Sequence, residues 1–170
     1  MTHDDNPQQP PASVSNLRVI ALVFLVVLVA AQVTKQIMLG WIFFPPMRVA
    51  VLPLLNFSPV WNPGMSFGLL ADGGMIVRVG LLLLAVAVAL WLFYQHRQLT
   101  RRQAIAAGLI AGGAIGNAID RLRFGKVVDF IDVYVQEWHW PAFNVADAAI
   151  TVGALFWAYT LFVGQETSTK

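Results

Sequence analysis

Three short segments of this sequence combine residue types that packing by itself does not call for. They are Gly112-Gly113-Ala114-Ile115-Gly116-Asn117-Ala118-Ile119-Asp120-Arg121, then Val127-Val128-Asp129-Phe130-Ile131-Asp132, then Pro141-Ala142-Phe143-Asn144-Val145-Ala146-Asp147. In the first, Gly108, Gly112 and Gly116 recur every four residues, a spacing that lets another helix come close, and packing explains them fully. The adjacent row of Gly113, Asn117 and Arg121 differs, because it carries polar groups toward one end of the helix. Asp129 stands among β-branched and aromatic neighbours and so is held in place rather than merely solvated. Asn144, with Asp147 three residues on, has a plain reading: an N-cap and a first-turn acid favoured by the helix dipole.

Together the two acids suggest more. Asp129 follows one helix and Asp147 opens the next, on the same side of the chain's apolar segments. Two carboxylates brought close cannot both ionise cheaply, so they share a proton. One can then act as base on a water while its protonated partner polarises a carbonyl, which is the aspartic-protease arrangement. Other chemistries find little support. No serine or threonine lies in a nucleophile motif, and there is no cysteine. Three scattered histidines (His3, His96 and His139) do not make an ordinary zinc site, so neither a metal nor a cofactor is expected.

The elements that must position these residues lie in a membrane. Hydrophobic residues make up 58% of the 170 and charged residues 12%, against roughly 45–50% and 25% in soluble domains. Eleven basic and nine acidic side chains cannot coat a globule of this size, and mean hydropathy is +0.66. Soluble-secreted and disordered classes are excluded. A net charge of +2 with no clustered basic face gives no reason to expect a nucleic-acid partner.

The pattern predicts an all-α integral membrane protein with four transmembrane helices, at about 17–38, 75–94, 104–121 and 146–163. Residues 1–16 read as a flexible tail, and 164–170 as a second tail. The charge-free runs Ala104–Ile119 and Ala148–Val163 are sixteen residues each. Such a run makes only about 24 Å of helix, so these spans must continue into their polar flanks. That puts Asp120, Arg121 and Asp147 near a membrane interface. A cleaved signal peptide competes for the first span, since an apolar core precedes Val29-Ala30-Ala31. Asp4 and Asp5 ahead of it and Lys35 close behind favour a retained helix. Four spans place loops 39–74 and 120–147 together and the arginine-rich link 95–103 opposite, beside both termini. Positive-inside logic makes that link and the termini cytoplasmic, although Lys35, Arg48, Arg121, Arg123 and Lys126 count against it. Within the 39–74 loop, Val49–Leu52 and Leu54–Phe57 read as strand pieces broken by Pro53, Pro59 and Pro63. With Trp41, Phe43, Phe44 and Trp61 they suggest a small sheet on the membrane surface.

The blocks Trp61–Gly68, Gly112–Phe130 and Pro141–Gly153, in this order between four spans, resemble lipoprotein signal peptidase (signal peptidase II). The combination G-G-x-x-G-N-x-x-D-R, V-V-D-F and F-N-x-A-D is specific. The resemblance covers roughly residues 17–163, the expected peptidase domain. It implies a bacterial inner-membrane aspartic peptidase that removes the signal peptide before a cysteine already carrying diacylglycerol, with its active site at the periplasmic face. It implies Asp129 and Asp147 as the catalytic dyad, and Asn62, Gly64, Asn117, Asp120, Arg121, Asn144 and Ala146 as positions lining the site. It further implies diacylglyceryl-prolipoprotein and membrane lipid as partners, a monomer, and inhibition by the cyclic peptide globomycin. A periplasmic β-cradle is expected at about 42–70 and a short, mobile periplasmic helix at about 130–141.

One motif departs from the family. Its usual D-Q-x-T-K is here Ala31-Gln32-Val33-Thr34-Lys35, so Lys35 lacks an acid one turn before it. It must snorkel to the interface or find a carboxylate on another helix. Two other functions use the same acids: a proton or ion carrier, and an inactive lipoprotein-binding member of the fold. A carrier would place acids near mid-membrane, where the four apolar runs hold none.

Overall fold

The structure is a computed structural model that describes residues 12–64 and 74–166. Tail residues 1–11 and 167–170, and Met65, Ser66, Phe67 and Gly68 of the Trp61 block, lie outside the described residues. Four helices carry the molecule: α1 (Ala12–Ile42), α2 (Gly74–Tyr94), α3 (Arg101–Phe124) and α4 (Val145–Glu166). A 3-10 turn at Gln95–Arg97 leads into α3. Four strands form an antiparallel sheet in the order β1 (Val49–Leu52), β2 (Leu55–Asn62), β3 (Val127–Val135), β4 (Trp138–His139).

Among the described residues, three helices are long and apolar enough to cross a membrane: Ser15–Ile42 of α1, Gly74–Arg97 across α2 and the turn, and Val145–Phe162 of α4. Their outer faces are apolar and uncovered, as at Leu22, Leu90 and Leu155, each about two-thirds exposed. With no water to satisfy, such faces suit hydrocarbon. α3 is different in kind. Rich in glycine and alanine, it packs against all three other helices and buries most of its length. Its N-terminus is a capping box, Thr100 accepting from the Gln103 N–H while the Gln103 side chain accepts from Thr100 N. It ends on Gly125 in the left-handed region at φ +71°, where a Cβ would also strike the Arg78 guanidinium at 2.6 Å.

The glycine rows divide between two partners. A Cβ at Gly112 would lie 2.8 Å from the Phe24 carbonyl of α1, whereas one at Gly113 would strike the Ala146 carbonyl of α4. One face of α3 thus seats α1, and the next brings the start of α4 against it. Of the tails expected over 1–16 and 164–170, the described residues 12–16 and 164–166 are helical, in α1 and α4. α1 already begins at Ala12, because the Asn16 amide donates to the Leu99 carbonyl at 2.6 Å and ties this end to the turn before α3.

The sheet lies on the far end of α1, where Met38, Ile42 and Phe43 pack with Val128 and Phe130. β2 runs through Pro59 rather than breaking there. Its register shifts between Phe57 and Val60, so that Ser58 and Pro59 together face Phe130, and a bulge tolerates the missing N–H. The short helix expected at about 130–141 is overturned. Those residues continue β3, turn at Gln136 (φ +55°), and return as β4, with Tyr134 opposite His139. β-branched Val127, Val128, Ile131, Val133 and Val135 fit a pleated surface; β2 pairs with the first four and β4 with Val135.

Candidate active site

Asp129 faces the interior from β3 and is 1% exposed. Across the ladder, Val60 pairs with Asp129 and Asn62 with Val127, which makes Asn62 the diagonal neighbour of Asp129 on the same face. Its Nδ2 donates to Asp129 Oδ2 at 2.9 Å. The other oxygen is reached from α4. Backbone bonds between Phe143 and the Phe130–Ile131 segment tie the approach to α4 onto β3. Asn144 is thereby set so that its Nδ2 donates to Asp129 Oδ1 at 2.6 Å.

Asp147, half-buried in the first turn of α4, accepts the Asn144 backbone N–H on Oδ2 at 3.0 Å and Asn117 Nδ2 on Oδ1 at 2.7 Å. Asn144 Oδ1 in turn accepts the N–H groups of Ala146 and Asp147, at 2.7 and 3.3 Å. The plain N-cap reading and the paired-acid reading therefore hold at the same residues. One asparagine caps the helix and bonds both carboxylates. Burial, then the negative charge of Asp147, push the Asp129 carboxyl up to about 7, against the pull of its Asn62 and Asn144 hydrogen bonds and the Lys35 charge.

The remaining sequence-derived positions fall into two groups. Asn62, Gly64, Asn117 and Arg121 line a cavity of about 310 Å³ with Asp147, and its apolar end runs along Leu84, Val88 and Ile110. Arg121 Nη2 donates to the Gly64 carbonyl at 3.0 Å, and the Gly64 N–H donates to Asn62 Oδ1 at 3.1 Å. Arg121 Nε is buried with no partner among the described residues, a free donor beside the cavity. Asp120 and Ala146 are fully buried and line neither described cavity. Asp120 accepts the Val128 N–H at 3.0 Å and braces the strand, while Ala146 serves through its backbone. A second cavity of about 480 Å³, walled by Trp140, Phe143 and Thr151, opens on the other side of Asp147.

Asp132 points away from this cluster, to the opposite face of β3. Burial alone would raise its carboxyl, but hydrogen bonds from His139, Ser58 and Asn56 and the His139 charge outweigh that and hold it below the ordinary range. Two α1 residues were not legible as site residues. The Lys35 ammonium sits 2.7 Å from Asp120 Oδ2, and Gln32 Nε2 donates to the Gly116 carbonyl at 3.0 Å. A lysine beside a membrane span was the signal, and α3 holds the carboxylate it needed.

Residues 23–163 match the family described as Signal peptidase (SPase) II. The chain is 43% identical over 125 residues to a lipoprotein signal peptidase of Serratia marcescens, covering 72% of each. It is 40% identical over 149 residues to one of Polynucleobacter necessarius subsp. necessarius (strain STIR1), covering 84% of this chain and 87% of that one. It also resembles a solved bacterial membrane enzyme, determined by the in meso method at 2.3 Å resolution. There the TM-score is 0.75 and identity 28%, over 90% of this chain and 92% of the other.

Proposed function

The chain belongs to the signal peptidase (SPase) II family, and from that premise we propose that it is an aspartic endopeptidase cutting diacylglyceryl-modified prolipoproteins before the lipidated cysteine. The observation that carries the chemistry is Asn144, whose side chain bonds Asp129 and whose backbone N–H bonds Asp147. Asp129 holds the shared proton, and Asp147 fronts the cavities, where a water and a peptide bond can reach it. Asp147 takes a proton as water oxygen adds to the carbonyl carbon, while the Asp129 proton passes to the carbonyl oxygen. The diol then collapses: its hydroxyl proton returns to Asp129, and the proton on Asp147 goes to the departing amine of the cysteine.

All four helices span the membrane in this reading, α3 included, because its polar groups face the bundle rather than lipid. The α2–α3 link with Arg97, the start of α3 with Arg101 and Arg102, and both termini are cytoplasmic, so the site opens at the periplasmic face of the inner membrane. The enzyme works as a monomer, without metal or cofactor, and globomycin occupies the same cavity. The test is a gel-shift cleavage assay with diacylglyceryl-modified prolipoprotein and purified protein. Cleavage before the lipidated cysteine is expected, unchanged by exhaustive EDTA treatment. Intact substrate would refute the assignment, and zinc-restored activity the mechanism.

A pH profile tests the shared proton. A carboxyl raised above its ordinary value stays protonated in the folded protein to higher pH, and loses that proton as pH rises through about 7. Log kcat/KM is therefore expected to fall with unit slope above about pH 7. A rate flat from pH 6 to 9 would mean that no proton is shared.

A further inference from the structure

Lys35 is a fully buried lysine with no acid on its own helix: Ala31, one turn before it, is itself fully buried. Its Nζ lies 2.7 Å from Asp120 Oδ2 and donates to Asn117 Oδ1 at 2.7 Å. As a stability device such a pair is weak, since desolvating two charges offsets most of their attraction. What its two ends hold is more informative. An ammonium only donates, so together with Asn144 Nδ2, which donates to the same Asn117 Oδ1 at 3.2 Å, it fixes the Asn117 oxygen and leaves Nδ2 to donate to Asp147 Oδ1 at 2.7 Å. On the other side, Asp120 Oδ2 accepts the N–H of Val128, the residue before Asp129, at 3.0 Å. Gln32, one turn back on α1, donates from Nε2 to the other Asp120 oxygen, Oδ1, at 3.4 Å.

We propose that Lys35 is a positioning residue for both carboxylates: its ion pair with Asp120 aims Asp147 through Asn117 and seats Asp129 through the Val128 backbone. The proposal rests on the dyad reading above and adds a foundation outside it. Neither Lys35 nor Asp120 lines a described cavity, so neither touches substrate. The charged groups facing the pair are Lys35 from α1 and Asp120 and Arg121 from α3, while β2 presents the neutral Asn62. Losing the lysine charge removes an attraction that favours the ionised form of Asp129.

The experiment compares wild type, Lys35→Met and the double variant Lys35→Met/Asp120→Asn on lipidated prolipoprotein, with thermal midpoints in detergent. Lys35→Met strands a buried carboxylate and should lower the midpoint; the double variant removes that lone charge and should recover it. In both, kcat should stay roughly a hundredfold below wild type, the cost of a small misplacement of reacting groups. KM should barely change, and in Lys35→Met, which loses the lysine charge and keeps Asp120, the alkaline limb should move to higher pH. A double variant that recovers kcat along with its midpoint would reduce Lys35 to a structural role and overturn the proposal. Should these variants not fold, Lys35→Arg keeps the charge and displaces the donor. A reduced kcat with an unshifted limb is then expected, and wild-type kcat overturns the idea. No cleavage by wild type would instead overturn the proposed function itself.

Discussion

Asp129→Asn and Asp147→Asn are each expected to lower cleavage by roughly four orders of magnitude, as loss of a residue from a unit that moves protons does. Asparagine keeps the shape of aspartate but neither takes a proton from water nor returns one. Each substitution also turns an NH2 group toward an existing donor. At position 129 the donors are Asn62 Nδ2 and Asn144 Nδ2; at 147 they are Asn117 Nδ2 and the Asn144 N–H. That conflict costs about 1–3 kcal/mol of stability, so thermal midpoint and membrane insertion should be measured beside kcat. A folded variant that retains substantial turnover would sink the mechanism. Asp132→Asn is the control. Its carboxylate bonds Ser58 and His139 on the other face of β3 and touches neither acid, so cleavage should change little while the sheet loses stability.

The second large effect concerns lipid. Unlipidated prolipoprotein is expected to be cut with kcat/KM at least roughly two hundredfold below the diacylglyceryl form. The cavity that holds Asp147 is also lined by Leu84, Val88 and Ile110, an apolar wall supplied by α2 and α3. Burying four methylenes there is worth about 3 kcal/mol, which is that factor, before any gain from aligning the scissile bond. The measurement is kcat/KM for the two substrates under one detergent condition. Equal values would mean that the acyl chains are not recognised.

Some of this was already written in residue types. A composition this poor in charge requires a membrane, and a run of apolar residues bounded by capping and polar groups requires a helix whatever its neighbours are, since hydrocarbon offers the backbone no other partner. Asp129 among β-branched residues and Asp147 behind a capping asparagine were visible as acids with assigned places. Glycines at a four-residue spacing signalled close packing, but not that Gly112 meets α1 while the offset Gly113 meets α4.

What tertiary structure alone decided is partnership between distant segments. The helix expected at 130–141 came from the family resemblance, whereas Ile131, Val133 and Val135 within it are β-branched and favour strand. The β2 and β4 ladders settle it by offering backbone partners, and the Ser58–Pro59 bulge sets the register that brings Asn62 to Asp129. Lys35 announced a need for a carboxylate, and only the packing of α1 on α3 chose Asp120. Periodicity along a chain reports which face is buried. It carries no information about which atom of another segment will lie opposite, because that depends on the angle and offset at which two elements dock. Asn144 shows the division most plainly: its capping role belongs to its own helix, whereas the bond to Asp129 exists only because Phe143 is zipped to Ile131.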